Sequence, residues 1–445
     1  MKWILPAYSA VQKICGIQKY DPKRDYRLSA HCIQVLCEEG TLLFHTLLGS
    51  LLMVQRGESL SDLQKELVSA RYMVPFGTDE IRYTDTVRQL LSTVQPKQNK
   101  KTGFTILTTT DCNARCFYCY EIGRRRFSMT SAIAHDVAAY ISEACRGHEV
   151  SIHWFGGEPL YNVSAIDIIC ENLIKSGISF KSRMTSNGFY LDRATAQRAV
   201  CKWHMQSAQI TLDGTEEIYN QTKRYVSFLD NGFERVMHNI DEALKAGIRV
   251  VIRMNMDARN AADLSELCDQ LAERFHNRQG LTAYPVLLKQ FSGDIHSFAT
   301  EDEAIQWYHI LVEKIKDNGM GRKHPLQREI SANRCMADND NCEVILPDGR
   351  IGRCEHFSET EIVGSIYDGS RDEMLIHAWK KRMEAFPECR DCVLYPRCIN
   401  LERCDWMKDG CPKHIRIVRE NRLKEQILNA YMEMAGKEET DESTA

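Results

Sequence analysis

Residues 108–120 read Thr-Thr-Thr-Asp-Cys-Asn-Ala-Arg-Cys-Phe-Tyr-Cys-Tyr and directly follow a run of β-forming residues. Three cysteines, Cys112, Cys116 and Cys119, stand here in a Cys-x3-Cys-x2-Cys spacing. Structural zinc sites usually close all four ligand positions with Cys-x2-4-Cys pairs, and iron–sulfur clusters are normally held by four thiolates. Three thiolates after a strand therefore favour a cluster with one iron left open for chemistry.

The bulk composition is that of an ordinary globular chain. It has 445 residues, of which 43% are hydrophobic and 27% are charged, which is enough for about two or three domains. The formal net charge of -4 gives no electrostatic reason to expect a nucleic acid or an anionic membrane as partner. The N-terminus lacks a signal-peptide hydrophobic region, and no apolar run approaches the ~20 residues that span a bilayer. We therefore expect a cytoplasmic protein that binds neither nucleic acid nor a membrane.

The chain contains 18 cysteines, which in the reducing cytosol indicates metal or cluster ligation rather than disulfides. Those that are scattered singly on apolar patterns are expected to be small buried residues. The others fall into two groups, the triplet and a later set of eight cysteines, enough for two sites with four ligands each. The later set is Cys335, Cys342, Cys354, Cys389, Cys392, Cys398, Cys404 and Cys411.

The middle of the chain, residues 104–319, predicts an α/β domain. Strand and helix patterns alternate with a period near 30 residues, which is typical of βα units with a parallel sheet. We predict strands at 104–109, 150–155, 180–185, 207–212, 249–255 and 281–288. Because six units are too few for a closed eight-stranded barrel, we expect a partial, open (β/α)6 TIM-like barrel. The triplet follows its first strand and so lies at the carboxyl edge, where active sites of such folds are found.

Loops after the next strands carry further candidate residues. Paired glycines let a backbone approach a ligand closely, and a carboxylate suits an amine. Each loop alone is a common turn, but their shared position at one edge of the sheet favours a ligand site. The residues are Gly156, Gly157, Glu158 and Pro159 after the second strand, Ser186 and Asn187 after the third, and Thr211 at the end of the fourth.

The flanking segments predict smaller elements. Residues 1–95 read as a small α/β module with a hairpin across residues 26–46, and its exposed strand edge is suited to pairing with an extended peptide. A packing extension without a ligand remains the alternative. Residues 96–103 are polar, basic and proline-bearing, which indicates a linker. We expect a helix at 413–436 and a disordered acidic tail at 437–445.

At these motifs the chain resembles the radical S-adenosylmethionine (SAM) enzymes, over residues 104–412. The triplet matches their Cys-x3-Cys-x-aromatic-Cys motif, with Tyr118 in the aromatic place. The resemblance implies a [4Fe-4S] cluster whose open iron binds the amino and carboxylate groups of S-adenosylmethionine. It also implies that the GGEP-like residues 156–159 bind the methionyl amine, that Ser186, Asn187 and Thr211 contact the ribose and carboxylate, and that Arg224 pairs with the carboxylate.

The later cysteines resemble the SPASM extension, here at 320–412, which carries two auxiliary [4Fe-4S] clusters and brings the total to three. The crossing pattern of that family implies one cluster on Cys335, Cys342, Cys354 and Cys404, and the other on Cys389, Cys392, Cys398 and Cys411. The x5 spacing from Cys398 to Cys404 departs from the usual x3. Two zinc sites remain an alternative, because Cys389-x2-Cys392 also suits zinc.

Glu355, directly after Cys354, lies where anaerobic sulfatase-maturing enzymes carry an aspartate that serves as a base. Glutamate is one methylene longer, so a catalytic base and a solvated acid are both open for this residue.

SPASM enzymes mostly act on peptides, and residues 1–95 resemble the PqqD-like or RRE-like domains that hold a leader peptide. The resemblance therefore implies a maturase that crosslinks a ribosomally synthesised precursor peptide (RiPP), plausibly through a thioether or carbon–carbon bond. A reductant such as flavodoxin or ferredoxin would supply the electron. The alternatives are a formylglycine-forming, sulfatase-maturating enzyme and a non-catalytic iron–sulfur or zinc protein that binds a peptide.

Overall fold

A computed structural model of the chain describes residues 1–94, 100–226, 231–288, 297–322, 324–331, 333, 335–356, 361–404 and 410–442. The first half of the predicted linker lies outside these residues. Within them, no helix is both long enough and apolar enough to cross a membrane.

The first 94 residues form a four-stranded antiparallel sheet, a separate strand pair and three helices. The elements are β1 (Lys2–Leu5), α1 (Ser9–Cys15), β2 (Tyr26–Leu28), β3 (Cys32–Cys37), β4 (Gly40–His45), β5 (Ser50–Gln55), α2 (Gln64–Ser69), β6 (Met73–Pro75) and α3 (Glu80–Val94). The sheet order is β1-β5-β4-β3, and β2 pairs with β6. The predicted hairpin is present as β3 and β4, whereas residues 26–28 leave it, because Ser29 and Ala30 turn the chain by donating to the buried Glu80 carboxylate.

Residues 103–287 supply the six parallel strands that the sequence predicts. They are β7 (Gly103–Thr109), β8 (Val150–Gly156), β9 (Phe180–Ser186), β10 (Met205–Thr211), β11 (Arg249–Met256) and β12 (Leu281–Leu287). Each pairs with the next in chain order and in parallel, so the open, barrel-like α/β core is confirmed. The helices are α4 (Ser131–Ala144), α5 (Val163–Lys175), α6 (Arg193–Cys201), α7 (Glu216–Lys223), α8 (Gly232–Lys245) and α9 (Ala261–Phe275). The sequence analysis did not predict α7.

The strand β7 is an inner strand of a larger sheet. The remaining elements are α10 (Glu301–Asp317), β13 (Cys342–Ile345), β14 (Arg350–Gly352), β15 (Ile362–Ser365), α11 (Glu373–Lys380) and α12 (Lys413–Glu442). β13 pairs in parallel with β7, and β14 and β15 follow antiparallel, which gives a nine-stranded sheet. The sheet therefore continues from the barrel into the cysteine-rich extension.

The C-terminal helix is longer than expected. It continues through Gly436 to Glu442, so residues 437–442, expected to be disordered, are helical. Glycine inside a helix costs about 1 kcal/mol relative to alanine, and the lysine and glutamates that follow are good helix formers.

The chain forms two compact units, and neither is continuous in sequence. One comprises Met1–Lys97, Lys323–Cys335 and Lys381–Ala445, and the other comprises Gln98–Arg322 and Met336–Lys380. The boundaries predicted for the N-terminal module and for the SPASM extension therefore do not coincide with these units. Residues 336–380 belong with the barrel, and residues 381–412 belong with the N-terminal sheet.

We call the first of these the terminal unit and the second the barrel unit. One of the buried apolar clusters of the terminal unit joins segments that are far apart in the sequence. Ile33 and Val35 of β3 pack in the same buried cluster as Leu423 and Ile427 of α12, and Val393 joins them. The Thr46 hydroxyl also donates to the Val393 carbonyl oxygen over 2.7 Å. The predicted N-terminal module thus shares its core with the C-terminal helix.

Candidate active site and iron–sulfur ligands

The cysteine triplet lies in the loop that follows β7 in the barrel unit. Burial raises the pKa of all three thiols, and neighbouring thiolates raise it further for Cys112 and Cys119, the latter to about 12. The three sulfurs are therefore close enough to interact, as ligands of one cluster must be.

Two N–H groups point at the Cys112 sulfur. The backbone amide of Ala114 donates to it over 3.3 Å, and the Asn187 side-chain amide lies 3.8 Å from it. Hydrogen bonds to a sulfur favour its thiolate form, which is the form that binds metal. The donor set therefore fits a thiolate-ligated iron–sulfur cluster.

The predicted glycine pair packs directly against the triplet loop. A Cβ atom at Gly156 would lie 2.1 Å from the Thr109 carbonyl oxygen, and one at Gly157 would lie 2.3 Å from the Asp111 carbonyl oxygen. The Glu158 amide donates to that same Asp111 oxygen over 2.9 Å. Only glycine allows this approach, so the pair sets the position of Glu158 beside the cysteines.

Glu158 is a fully buried carboxylate that joins the second and third loops. It accepts hydrogen bonds from the Ser186 hydroxyl at 2.8 Å, from the Asn187 amide at 2.7 Å and from the Leu160 amide at 3.1 Å. Burial raises the pKa of Glu158 to about 7, although these hydrogen bonds lower it. No basic side chain of the described residues forms an ion pair with it, so the site fits a bound ammonium group such as the methionyl amine.

A second buried network lies at the ends of β10 and β11. The Lys223 ammonium is 2.7 Å from Asp213 Oδ2 and donates to the Thr211 hydroxyl over 2.7 Å. The Tyr118 hydroxyl donates to Asp213 Oδ2 over 2.6 Å and also accepts from the Asn255 amide. Burial, the largest single cause, lowers the pKa of Lys223, but Asp213, Tyr118, Cys116 and Tyr219 together raise it by more, so that the net pKa is raised. Tyr118 and Thr211 are thus brought together by a charged lysine.

Arg224, predicted to pair with a carboxylate, does not join this network. It is exposed, has a φ of 48° at the end of α7, and donates to the Gln221 carbonyl oxygen. The cation that faces the triplet is instead Lys223, which lowers the pKa of the Cys116 thiol against the larger effect of burial. Lys223 is not evident as a site residue in the sequence, because the sequence pattern does not predict α7. The buried face of this helix contains Tyr219, Thr222 and Lys223.

Glu355 lies near the last residue of the triplet loop. Its carboxylate contributes to the raised pKa of Tyr120, whose largest cause is burial. The His356 ring lies 4.4 Å from the Tyr120 ring, and Arg124 donates to the His356 carbonyl oxygen. The segment after Cys354 therefore reaches the triplet loop. The role of Glu355 as a base stays a prediction.

Two of the first four auxiliary ligands lie on the β13–β14 hairpin. Val344 pairs with Gly352, so the hairpin register directs Cys342 and Cys354 to the same end. Arg353 is buried and donates to the Cys342 carbonyl oxygen over 3.1 Å. A Cβ atom at Gly103 would lie 2.7 Å from the Cys342 sulfur, so a glycine makes room for this thiol. Cys335 and Cys404 belong to the terminal unit, and their share in this cluster stays a prediction.

All four cysteines of the other predicted cluster lie in the terminal unit. Successive one-turn hydrogen bonds run from Cys392 N to Cys389 O, from Tyr395 N to Cys392 O and from Cys398 N to Tyr395 O. Residues three apart in such turns lie on one face. Besides burial, the thiolates of Cys389, Cys392 and Cys398 raise the pKa of Cys411, to about 11. Among described residues, no three His, Cys, Asp or Glu side chains are arranged to hold a single metal ion.

Comparison of the sequence with known proteins identifies the core of the barrel. Residues 106–271 match the Radical SAM superfamily. A probable GTP 3′,8-cyclase of Methanococcus vannielii is 26% identical over 169 residues, which are 38% of this chain and 54% of that protein. The chain thus matches about half the length of this curated relative.

Solved structures are similar over more of the chain. Native anSMEcpe with bound AdoMet and Cp18Cys peptide has a TM-score of 0.56 at 15% identity, covering 76% of this chain and 99% of that one. Streptococcus suis SuiB bound to precursor peptide SuiA has a TM-score of 0.52 at 12% identity, covering 84% of this chain and 94% of that one. The superfamily match thus covers residues 106–271, and the similarity to these solved structures shows a shared fold.

Proposed function

We propose that this protein is a radical SAM maturase that modifies a ribosomally synthesised precursor peptide. The observation that carries the proposal is the buried Glu158, held by the Gly156-Gly157 turn and hydrogen-bonded through Asn187 to the loop of the triplet. A buried carboxylate that forms no ion pair with a basic side chain of the described residues, beside three thiols, suits a ligand that brings an amine to an open iron.

The residues of the site have separate roles in this proposal. The bound [4Fe-4S] cluster and S-adenosylmethionine supply a 5′-deoxyadenosyl radical that removes a hydrogen atom from the substrate. Cys112, Cys116 and Cys119 would hold the cluster, and Glu158 would fix the methionyl amine. Lys223, in place of the expected Arg224, is the buried cation that we propose for the methionyl carboxylate, in addition to its ion pair with Asp213.

A peptide substrate is supported by the cysteine-rich extension and by the relatives of similar fold. anSMEcpe and SuiB are both described with a bound peptide. The probable GTP 3′,8-cyclases are 22% to 26% identical over 38% to 60% of this chain. The thiolates of Cys389, Cys392 and Cys398 contribute to the raised pKa of Cys411, which supports a shared auxiliary cluster. A crosslink, through a thioether or a carbon–carbon bond, is the modification we propose.

Anaerobic reconstitution tests the enzymatic part. Three [4Fe-4S] clusters predict about twelve iron atoms per chain and reductive formation of 5′-deoxyadenosine from S-adenosylmethionine. The matched control replaces Cys112, Cys116 and Cys119 by Ala, which should remove about four iron atoms and all 5′-deoxyadenosine. Equal 5′-deoxyadenosine from both proteins would refute the proposal. A mass change in a short peptide encoded beside this gene would identify the substrate.

Binding of a leader peptide by residues 1–95 needs point variants rather than a deletion, because these residues share a core with α12. Leu36 at the end of the edge strand β3 is 81% exposed, so Leu36→Lys should leave the fold intact. If the edge binds the leader, this variant should weaken precursor binding and keep 5′-deoxyadenosine formation. Unchanged binding by this variant would argue against that edge.

Formylglycine formation in a sulfatase is the second candidate, favoured by the similarity to anSMEcpe and by Glu355 near the triplet loop. It predicts activity on a short sulfatase peptide without a leader. It also predicts that Glu355→Gln reduces product formation while Glu355→Asp retains part of it, because a shorter carboxylate is still a base. Lack of any reaction with such a peptide would exclude this candidate.

A further inference from the structure

Arg88 is a buried cation on α3 in the terminal unit. Its side chain is 3% exposed. One terminal nitrogen lies 3.1 Å from Asp85 Oδ1, and the other donates to the Tyr395 carbonyl oxygen. The Nε–H has no hydrogen-bond partner among the described residues. Since the Asp85 carboxylate is 45% exposed, water screens the one ion pair that the described residues offer this guanidinium.

The same guanidinium holds the turn that carries the auxiliary cysteines. The Tyr395 carbonyl oxygen that accepts from Arg88 also accepts from the Cys398 amide over 3.2 Å. The Arg88 guanidinium lies over the Tyr395 ring at 5.0 Å, and the Tyr395 hydroxyl donates to Asp85 over 2.9 Å. Asp85 and Arg88, one turn apart on α3, therefore bind Tyr395 at its hydroxyl group and at its carbonyl oxygen.

The Cys398 thiol lies close enough to Arg88 to act on its charge. Burial lowers the pKa of Arg88, and the charge of Arg382 lowers it further, whereas Asp85, Tyr395 and the Cys398 thiolate oppose this. The Cys398 thiol therefore lies near Arg88, and Arg382 lies near the same guanidinium. A buried cation with one screened carboxylate partner is costly unless an anion lies beside it.

We infer that Arg88 is a positioning residue for the metal centre of Cys389, Cys392, Cys398 and Cys411, fixing the Cys398 turn through Tyr395 and supplying it with a positive charge. The inference rests on the proposed cluster ligation. In this proposal α3, residues 80–94, has a function besides any peptide binding, because it contributes directly to an auxiliary cluster. Net charge and hydrogen bonds to the sulfurs set the reduction potential of such clusters, so loss of Arg88 should make this cluster harder to reduce.

The experiment compares Arg88→Gln and Arg88→Lys in full-length protein whose Cys112, Cys116 and Cys119 are replaced by Ala, so that only auxiliary clusters remain. After anaerobic reconstitution with iron and sulfide, reduction is titrated and followed by electron paramagnetic resonance. We expect Arg88→Gln to lower the equilibrium constant for reduction of one auxiliary cluster at least tenfold. For a one-electron couple this corresponds to a reduction potential that is lower by about 59 mV. Arg88→Lys, which keeps the charge, should change the equilibrium constant less than about threefold.

Arg397→Gln is the matched control. Arg397 precedes Cys398 in sequence, but its guanidinium donates to the carbonyl oxygens of Thr46 and Arg328, and burial alone lowers its pKa, to about 10. It should leave both auxiliary potentials unchanged. Full iron content with unchanged potentials in Arg88→Gln would overturn the inference, and so would an equal shift in Arg397→Gln. Loss of one cluster in Arg88→Gln with retention in Arg88→Lys would support it.

Failure of the inference is distinguishable from failure of the proposed function. If the variant without the triplet cysteines takes up no iron, the inference falls, while formation of 5′-deoxyadenosine by the wild type leaves the radical chemistry in place. If the wild type forms no 5′-deoxyadenosine, the proposed function falls, and the potentials still decide the role of Arg88.

Discussion

Replacing Glu158 by Gln tests whether burial raises the pKa of the carboxylate at the centre of the candidate site. The side chain is fully buried, and burial raises its pKa from 4.5 to about 7 against three opposing hydrogen bonds. A raised folded-state pKa means that the folded protein binds this proton more tightly than the unfolded chain. The resulting stability is complete below the unfolded pKa and is lost as the pH rises through the folded pKa.

The magnitude follows from the two pKa values. One pKa unit corresponds to about 1.4 kcal/mol, so the total effect on the free energy of unfolding is about 3 kcal/mol. Most of it, about 2 to 3 kcal/mol, falls between pH 5 and pH 8. The side-chain amide introduced by Glu158→Gln cannot bind the proton, and its NH2 group faces the Asn187 amide, so the variant should be less stable at pH 5 by about 1–2 kcal/mol. The difference should shrink or reverse at pH 8.

The assay is urea unfolding of metal-free, full-length protein, because ligands would add their own pH dependence. Tryptophan fluorescence reports on the barrel unit, where Trp154 and Trp203 are fully buried. Glu149→Gln is the control, because its carboxylate is 54% exposed and pairs with Lys181 at the surface. If wild type and Glu158→Gln lose equal stability from pH 5 to pH 8, Glu158 does not have the raised pKa from which we reason.

Three further changes test other parts of the structure. Lys223→Met should reduce the free energy of unfolding by about 3–5 kcal/mol, because it leaves the buried Asp213 carboxylate without its ion-pair partner. In urea titrations the double variant with Asp213→Asn should recover part of this loss, and additive losses would contradict the coupling of the two residues. Gly157→Ala should lower iron uptake at the triplet, since a methyl group would clash with the Asp111 carbonyl oxygen, whereas Gly321→Ala, whose nearest contact is the flexible Lys316 side chain, should not; equal iron in both would refute the close approach. Deleting residues 1–94 should remove the iron of the Cys389–Cys411 cluster, about four atoms per chain, as measured by iron analysis; a deletion variant with full iron would contradict the shared core.

The barrel strands could be predicted from the sequence because local patterns determine them. β7 to β12 begin and end within two residues of their predicted bounds. Two of the candidate loops, at Gly156–Glu158 and Ser186–Asn187, meet at Glu158, because parallel strands bring their carboxyl ends to one edge. Tyr118 and Thr211 also come together in the structure, through Lys223, which the sequence pattern does not indicate.

The errors arose where long-range contacts decide the structure. Lys223 and Arg224 are adjacent and both basic, and only the short helix α7, with Arg224 at its end, decides which of them turns inward. Likewise, no local pattern indicates that Leu423 and Ile427 complete the core of β3, nearly 400 residues earlier in the chain. Composition and spacing describe neighbours in sequence, and these pairings are neighbours in space alone.

The discontinuous terminal unit has a consequence for synthesis on the ribosome. The β1-β5-β4-β3 sheet is translated long before Leu423 and Ile427, which cover one of its apolar faces. At about 5–20 residues per second, this face waits on the order of half a minute for its cover. The nascent sheet is therefore a target for chaperones that hold apolar surfaces, and expression yield should depend on them more strongly than the folded structure suggests.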